Sequence, residues 1–214
     1  GSGNIRGVLT KYASTFQFMV RYEDDIMLND ARFDPNPSIG GTAITYPATL
    51  NENFESFAVS SAGTAFPAYI NDAFVGSRYW DVKSFGNNKY IQMSAFGGSG
   101  AYKTYFIVPV TLTAGNKFSF KSKDGFNNGA SLKVYYSTNY VPNGNISDAT
   151  LSNITGSFAI ATGTSVGYAT NFTNSGNYVI PAGVSGNGFF IFEYTGSATG
   201  VTTTMQIDDI VLQP

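Results

Sequence analysis

The chain has 214 residues, 15% of them aromatic and only 12% charged, and its 12 Lys and Arg against 14 Asp and Glu leave a formal net charge of −2. This balance, with no sustained basic run, gives no electrostatic footprint for a phosphate backbone, so nucleic acid is not the expected partner. The sequence contains neither His nor Cys, which excludes Ser-His-Asp and Cys-His triads, His-ligated zinc and a disulfide framework, and no stretch approaches the roughly 20 apolar residues that span a bilayer.

In chain order, Gly1-Ser2-Gly3 carries no signal-peptide or lipidation motif, so any export signal is expected to lie outside this sequence. Residues 1–32 read as a β-hairpin: Ile5 to Leu9, a turn at Tyr12-Ala13-Ser14-Thr15, then Phe16, Phe18 and Val20 alternating with Gln17, Met19 and Arg21. Two strands are not stable alone, so this segment is expected to pack on a neighbour or to belong to another domain. Residues 33–47 carry Pro35, Pro37, Pro47 and the pair Gly40-Gly41 with no sustained period, which reads as a linker.

Residues 48–214 contain short strand candidates separated by turn signals: Tyr90 to Ala95, Tyr105 to Leu112, Lys117 to Lys121, Ser131 to Ser137, Asn177 to Ile180, Gly188 to Tyr194 and Thr202 to Leu212. With 18 Phe, 14 Tyr and few strong helix formers, the pattern predicts an all-β protein, a two-sheet antiparallel jelly-roll β-sandwich preceded by the N-terminal β-hairpin. Pro109 suits an edge or a bulge. Gly97-Gly98-Ser99-Gly100 reads as a hairpin turn, and Ser56 to Asn71 as a loop. A second long loop, Tyr140 to Asn153, is the kind of segment on which binding surfaces sit. Lys117, Lys121 and Lys123 interleave with Phe118 and Phe120, which places the lysines on the solvated face of a strand.

Carboxylate pairs are the only remaining catalytic chemistry. A glycosidase needs two of them roughly 5–10 Å apart in one cleft, but Asp30, Asp34, Asp124 and Asp148 sit where turns favour Asp for backbone reasons. Catalysis is therefore not expected.

Several short motifs arrive in a telling order: Asn53-Phe54-Glu55, Gly76-Ser77-Arg78-Tyr79-Trp80, Lys89 to Ala95, Phe118-Ser119-Phe120-Lys121, Leu132 to Thr138, Phe190 to Gly196 and Ile207-Asp208-Asp209-Ile210. In this order they resemble the choice-of-anchor J domain, a relative of cleaved-adhesin domains of Gram-negative surface proteins and of jelly-roll carbohydrate-binding modules. The resemblance covers about residues 50–212. One departure is that Tyr105 or Phe106 stands where such domains carry a Trp. Gly7 to Tyr12 and Phe16 to Val20 similarly resemble the closing strands of an OB-like domain that precedes such modules in surface lipoproteins.

The resemblance implies a non-catalytic carbohydrate-binding or adhesin-type module outside a Gram-negative cell, carried with other domains on a longer chain and meeting a glycan or surface polysaccharide. The alternatives are a spacer with no ligand and, third, a carboxylate-based hydrolase. Trp80, Tyr102 and Tyr140 are the candidate sugar platforms and Arg78 the candidate donor, although Trp80 follows Ser77-Arg78-Tyr79 in a short strand that in the resembling family contributes to the interior, so its indole also suits a core. A structural calcium ion is expected to clasp the first and last strands of the main domain through Glu55, Asp208, Asp209 and Glu52, because hard oxygen ligands from both ends can meet in such a fold. Strict alternation would place Ile207, Asp209 and Val211 on one face of that last strand.

Overall fold

The computed structural model describes residues 2–30 and 36–214. Gly1 and residues 31–35, which include Asp34 and the first part of the expected linker, lie outside the description. The chain divides into two compact units, the second starting at Asn36.

In the first unit, β2 (Val8–Tyr12) and β3 (Thr15–Met19) form the expected hairpin, with Val8 opposite Met19 and Tyr12 opposite Thr15. Its turn places Ala13 at φ 52. A second pair, not anticipated, joins β1 (Ser2–Ile5) to β4 (Ile26–Asp30). Asp25 lies buried before β4, with Arg6 Nε donating to Oδ1 at 2.8 Å and Arg21 Nε 3.4 Å from Oδ2.

The second unit is a two-sheet antiparallel β-sandwich. Its strands in order are β5 (Ile39–Gly40), β6 (Leu50–Glu52), β7 (Ile70–Val75), β8 (Asp81–Phe85), β9 (Asn88–Met93), β10 (Ala101–Leu112), β11 (Lys117–Gly125), β12 (Leu132–Ser137), β13 (Ser152–Asn153), β14 (Thr173–Asn174), β15 (Tyr178–Val179), β16 (Gly186–Ser197) and β17 (Thr204–Gln213). One sheet runs β13-β12-β16-β10-β7-β5; the other runs β14-β11-β17-β9-β8, with β15 on β11 and β6 on β17. The first and last strands of the sandwich's seven-stranded sheet are thus neighbours, Glu52 opposite Ile210.

Four expectations change here. Residues 36–47 are part of the sandwich: β5 pairs β7, Ala43 N donates to Pro67 O at 2.8 Å, and Thr111 N donates to Pro47 O at 2.9 Å. The expected loop Ser56 to Asn71 ends inside strand β7, and β8 is a further strand the spacing did not reveal. Gly97 to Gly100 is not a hairpin turn, because it carries the chain from β9 in one sheet to β10 in the other. Its glycines serve a close approach instead: the Tyr102 ring lies where a side chain on Gly98 would stand. Pro109 sits within long β10, opposite Phe189 on the β16 side. By strand parity its nitrogen faces the same side as that of Thr111, beyond the point where pairing with β7 ends at Ile107, so no ladder bond is lost.

Alternation explains the core. On β11, Phe118 and Phe120 are buried between half-exposed Lys117, Ser119 and Lys121, and Phe118 stacks on Phe190 of the opposing sheet with ring centroids 3.6 Å apart and planes 6° from parallel. Phe106, Phe192, Ile207, Ile210 and Trp80 complete the same inter-sheet layer. A smaller second core lies on the far side of the six-stranded sheet, where Ile70, Tyr105, Ile107, Phe189 and Ile191 are covered by Tyr140 and Ile146. The loop expected to bind a ligand is therefore a lid that seals one outer face.

Candidate functional site

The outer face of the seven-stranded sheet is polar and only partly covered: Tyr90, Gln206 and Asp208 are buried at its middle, while Lys121 and Lys123 are half-buried and Phe85 is exposed at its rim. Register puts Asp81, Gln92, Gln206 and Lys123 in one row across β8, β9, β17 and β11; in the next, Lys83 faces Tyr90 and Asp208 faces Lys121, one step past the last β9–β17 pair, Ile91 with Ile207. These are the positions that alternate with the buried Val82, Ile91, Ile207 and Ser122. The hairpin joining β8 to β9 turns at Gly86-Asn87, with Phe85 opposite Asn88 and Gly86 at φ 63. This tight turn leaves Phe85 76% exposed beside the row. On the other flank, β14 pairs with β11 so that Asn174 lies opposite Lys121, and the segment entering it brings Asn171 and Phe172 over the face.

These elements enclose a hollow of about 430 Å³ lined by Phe85, Asn88, Tyr90, Lys121, Lys123, Thr170, Asn171, Phe172, Asn174, Asp208 and Asp209. A second hollow of about 460 Å³, lined among others by Asn51, Ser119, Asn177 and Val211, shares Lys121, Asn174 and Asp209 with the first. Together they form one open groove along β17 and β11.

The floor of this groove is shaped by a bulge. Ser119 pairs with Val211 but Lys121 pairs with Asp208, so Asp209 and Ile210 together face Phe120. Asp209 takes φ 45, a left-handed conformation tolerated by Asp better than by most residues. The bulge overturns the strict alternation expected along this strand. Ile207, Ile210 and Leu212 point inward, whereas Asp208 and Asp209 both belong to the outer face.

Each carboxylate is held separately. Asp208 accepts from Asn88 Nδ2 at 2.8 Å through Oδ2 and from Asp209 N at 2.8 Å through Oδ1; burial pushes its pKa up, only partly offset by these two donors, and the nearby Asp209 charge adds to the rise. Asp209 Oδ2 lies 2.7 Å from Lys121 Nζ, and this contact raises the lysine's pKa. Lys123 Nζ stands 5.7 Å from the Phe85 ring centre and 5.5 Å from that of Phe172. Tyr90 meets Phe172 with ring centres 5.7 Å apart.

The candidate site residues read from the sequence fall elsewhere. Trp80 is fully buried, edge-on to Tyr194 at 6.3 Å, so its indole offers no face to a ligand. Tyr102 is buried with its hydroxyl accepting from Ser99 N at 3.0 Å. Arg78 lies over that ring at 5.0 Å and donates through Nη1 to the carbonyls of Ser94 and Phe96, both at 2.7 Å, which fixes the crossing between sheets. Tyr140 is buried against Phe189 at 5.1 Å in the second core, and burial pushes its hydroxyl up to about 12.

The expected calcium clasp is not one donor set either. Glu52 accepts from Phe54 N at 2.6 Å and from Tyr69 Oη at 2.8 Å, and Glu55 accepts from Lys89 N at 2.7 Å. The cation beside Asp209 is Lys121. Among the described residues no three carboxylates gather at metal-binding distance. Strand adjacency was legible; the local partners that draw each carboxylate away were not.

Sequence reasoning missed Phe85, Asn88, Tyr90, Asn171, Phe172 and Asn174. The signal available was an aromatic residue at a Gly-Asn hairpin tip, together with Asn88, Tyr90 and Gln92 sharing the period-2 face that also carries Lys121 and Lys123.

No family model matches the chain, and no curated protein matches it. Among solved structures, the K2 cleaved adhesin domain of Lys-gingipain aligns over 78% of this chain and 98% of its own, at 15% identity and TM-score 0.52. The K3 cleaved adhesin domain of Lys-gingipain from Porphyromonas gingivalis W83 aligns over 77% and 97%, at 16% identity and TM-score 0.45. A carbohydrate-binding module, TmCBM61 in complex with β-1,4-galactotriose, aligns over 75% and 93%, at 12% identity and TM-score 0.43. At these identities the likeness to the K2 domain is one of fold: this chain's second unit has the jelly-roll sandwich architecture of a cleaved adhesin domain.

Proposed function

We propose that the chain is a non-catalytic module that binds an extended glycan along the outer face of the seven-stranded sheet, as an accessory or adhesin-type part of a surface protein outside the cell. The observation that carries this reading is the groove itself, in which the exposed ring of Phe85 and the half-buried ring of Phe172, packed on the buried Tyr90, stand among the exposed amides of Asn88, Asn171 and Asn174. Sugars present apolar C–H faces and hydroxyl edges at once, and a surface pairing aromatic faces with fixed amide donors and acceptors is matched to both. Two hollows that share residues suit a chain running along β17. From Asp208 to Gln213 that strand extends roughly 17 Å, room for several sugar units. The groove's open shape and the pairing of Asp209 with Lys121 favour binding over hydrolysis.

The test is a glycan array followed by titration of the bound polymer against Phe85→Ala and Phe172→Ala. Loss of a stacking ring should weaken binding about tenfold with the melting temperature unchanged. Binding that ignores both variants would remove the groove from the account. Polysaccharide cleavage abolished by Asp208→Asn would turn the module into a hydrolase.

A further inference from the structure

We infer that the groove takes a glycan carrying carboxylate groups, a uronate-containing polysaccharide, with the carboxylate seated on Lys123 beside Phe85 and Phe172. This rests on the reading of the groove as a glycan site and names its substrate class.

Two lysines project from β11 into the same groove, two residues apart, and their surroundings differ. Lys121 is matched: Asp209 lies 2.7 Å away, and Asp208 adds its charge nearby. Lys123 has no carboxylate within ion-pair distance among the described residues. Its cross-strand neighbour Gln206 is neutral and bonded to Gln92 at 2.9 Å. The one carboxylate in its row, Asp81, lies three strands away, roughly 14 Å, and is paired with Lys83 at 3.2 Å. Asp124, next along the strand, is buried and accepts from Asn127 Nδ2 at 2.9 Å and Thr164 N at 3.0 Å.

What stands near the Lys123 ammonium is instead aromatic: the ring centres of Phe85 and Phe172 lie 5.7 and 5.5 Å from it. Ring faces hold a cation in place while leaving its N–H donors available to an anion. A uronate residue satisfies this arrangement in one piece: its ring face lies against Phe85 or Phe172 and its carboxylate meets Lys123, with Asn88 and Asn171 at the edge of the same hollow. A neutral sugar would use the rings and amides and leave the cation unmatched.

The experiment is affinity electrophoresis and calorimetric titration of the full chain with polygalacturonate and alginate, beside neutral galactan and xylan. Lys123→Gln, the charge-conserving Lys123→Arg, and Lys133→Gln on the opposite sheet are compared, with melting temperatures to confirm folding. The expected result is binding of an acidic polymer, weakened about tenfold by Lys123→Gln, largely kept by Lys123→Arg and untouched by Lys133→Gln. Neutral polymers bound as tightly as acidic ones, or acidic binding indifferent to Lys123→Gln, would overturn this inference and leave the glycan-binding function standing. Equal losses in Lys123→Gln and Lys133→Gln would mark diffuse charge attraction and overturn it too. Binding to none of the four polymers would overturn the uronate inference, and the array with its Phe85→Ala and Phe172→Ala variants would then decide the broader glycan reading separately.

Discussion

The two sheets of the sandwich share a core but treat their outer faces in opposite ways. On the six-stranded sheet, Ile70, Tyr105, Ile107, Phe189 and Ile191 form an apolar surface that Tyr140 and Ile146 close off. On the seven-stranded sheet, the equivalent positions are Lys, Asp, Asn, Gln and Tyr; Phe172 of the segment entering β14 packs on the buried Tyr90, and Phe85, Asn88, Asn171 and Asn174 stay exposed around the groove. An apolar outer face left bare would be an aggregation hazard, so the loop must cover it. A polar face needs no complete cover, and the part of it that stays exposed is free to meet a ligand. Long loops on a sandwich are therefore not interchangeable: the face beneath decides whether a loop seals or binds.

Substitutions on each face should separate the two roles. The largest effect is expected between the sheets, where Phe190→Ala removes the ring stacked on Phe118 and should cost about 3–5 kcal/mol in urea unfolding. On the sealed face, Ile146→Ala should cost about 2–3 kcal/mol, since the loop can partly collapse on the gap, while glycan binding stays at the wild-type level. On the open face, Phe85→Ala should change stability by no more than about 0.5 kcal/mol yet weaken binding. Opposite behaviour at Ile146 and Phe85 would invert the assignment of the two faces.

At the bulge, the backbone of Asp209 can be probed separately from its charge. Asp209→Gly suits φ 45 without strain, whereas Asp209→Ala should be about 1 kcal/mol less stable than Asp209→Gly; both lose the contact with Lys121, so their difference in chemical denaturation isolates the backbone. The smallest effect concerns Asp208. Its raised pKa means that the folded protein holds this proton more tightly than the unfolded chain, so its contribution to stability is full below the ordinary value of 3.8 and declines as pH rises through the folded pKa. Relative to Asp208→Asn, wild-type stability should therefore fall as pH increases from about 3.8. A difference that does not change with pH would show that Asp208 ionises freely.

Much of the sandwich was legible because alternation acts locally. Phe118 and Phe120 turned inward, and Lys117, Lys121 and Lys123 outward, as period 2 requires. Alternation failed at Asp209, because a bulge inserts one residue without any marker stronger than an Asp-Asp pair. Trp80 and Tyr140 illustrate the other limit. Both look like sugar platforms in a sequence, but an aromatic residue declares its size and not its direction, and direction came from which face each strand or loop offered to the core. Glu52, Glu55, Asp208 and Asp209 were placed near one another by strand order, yet Tyr69, Lys89, Asn88 and Lys121, which lie far from them in sequence, took up their oxygens one by one.

Mapping backbone amide shifts while the array-selected polymer is titrated into the labelled chain distinguishes a binding face on the seven-stranded sheet from one on the six-stranded sheet. With the ligand in the groove, the perturbed amides are expected to cluster at residues 85–90, 121–123, 170–174 and 208–209, with residues 140–151 unmoved. Perturbations gathered on 140–151, with the groove silent, would contradict that placement.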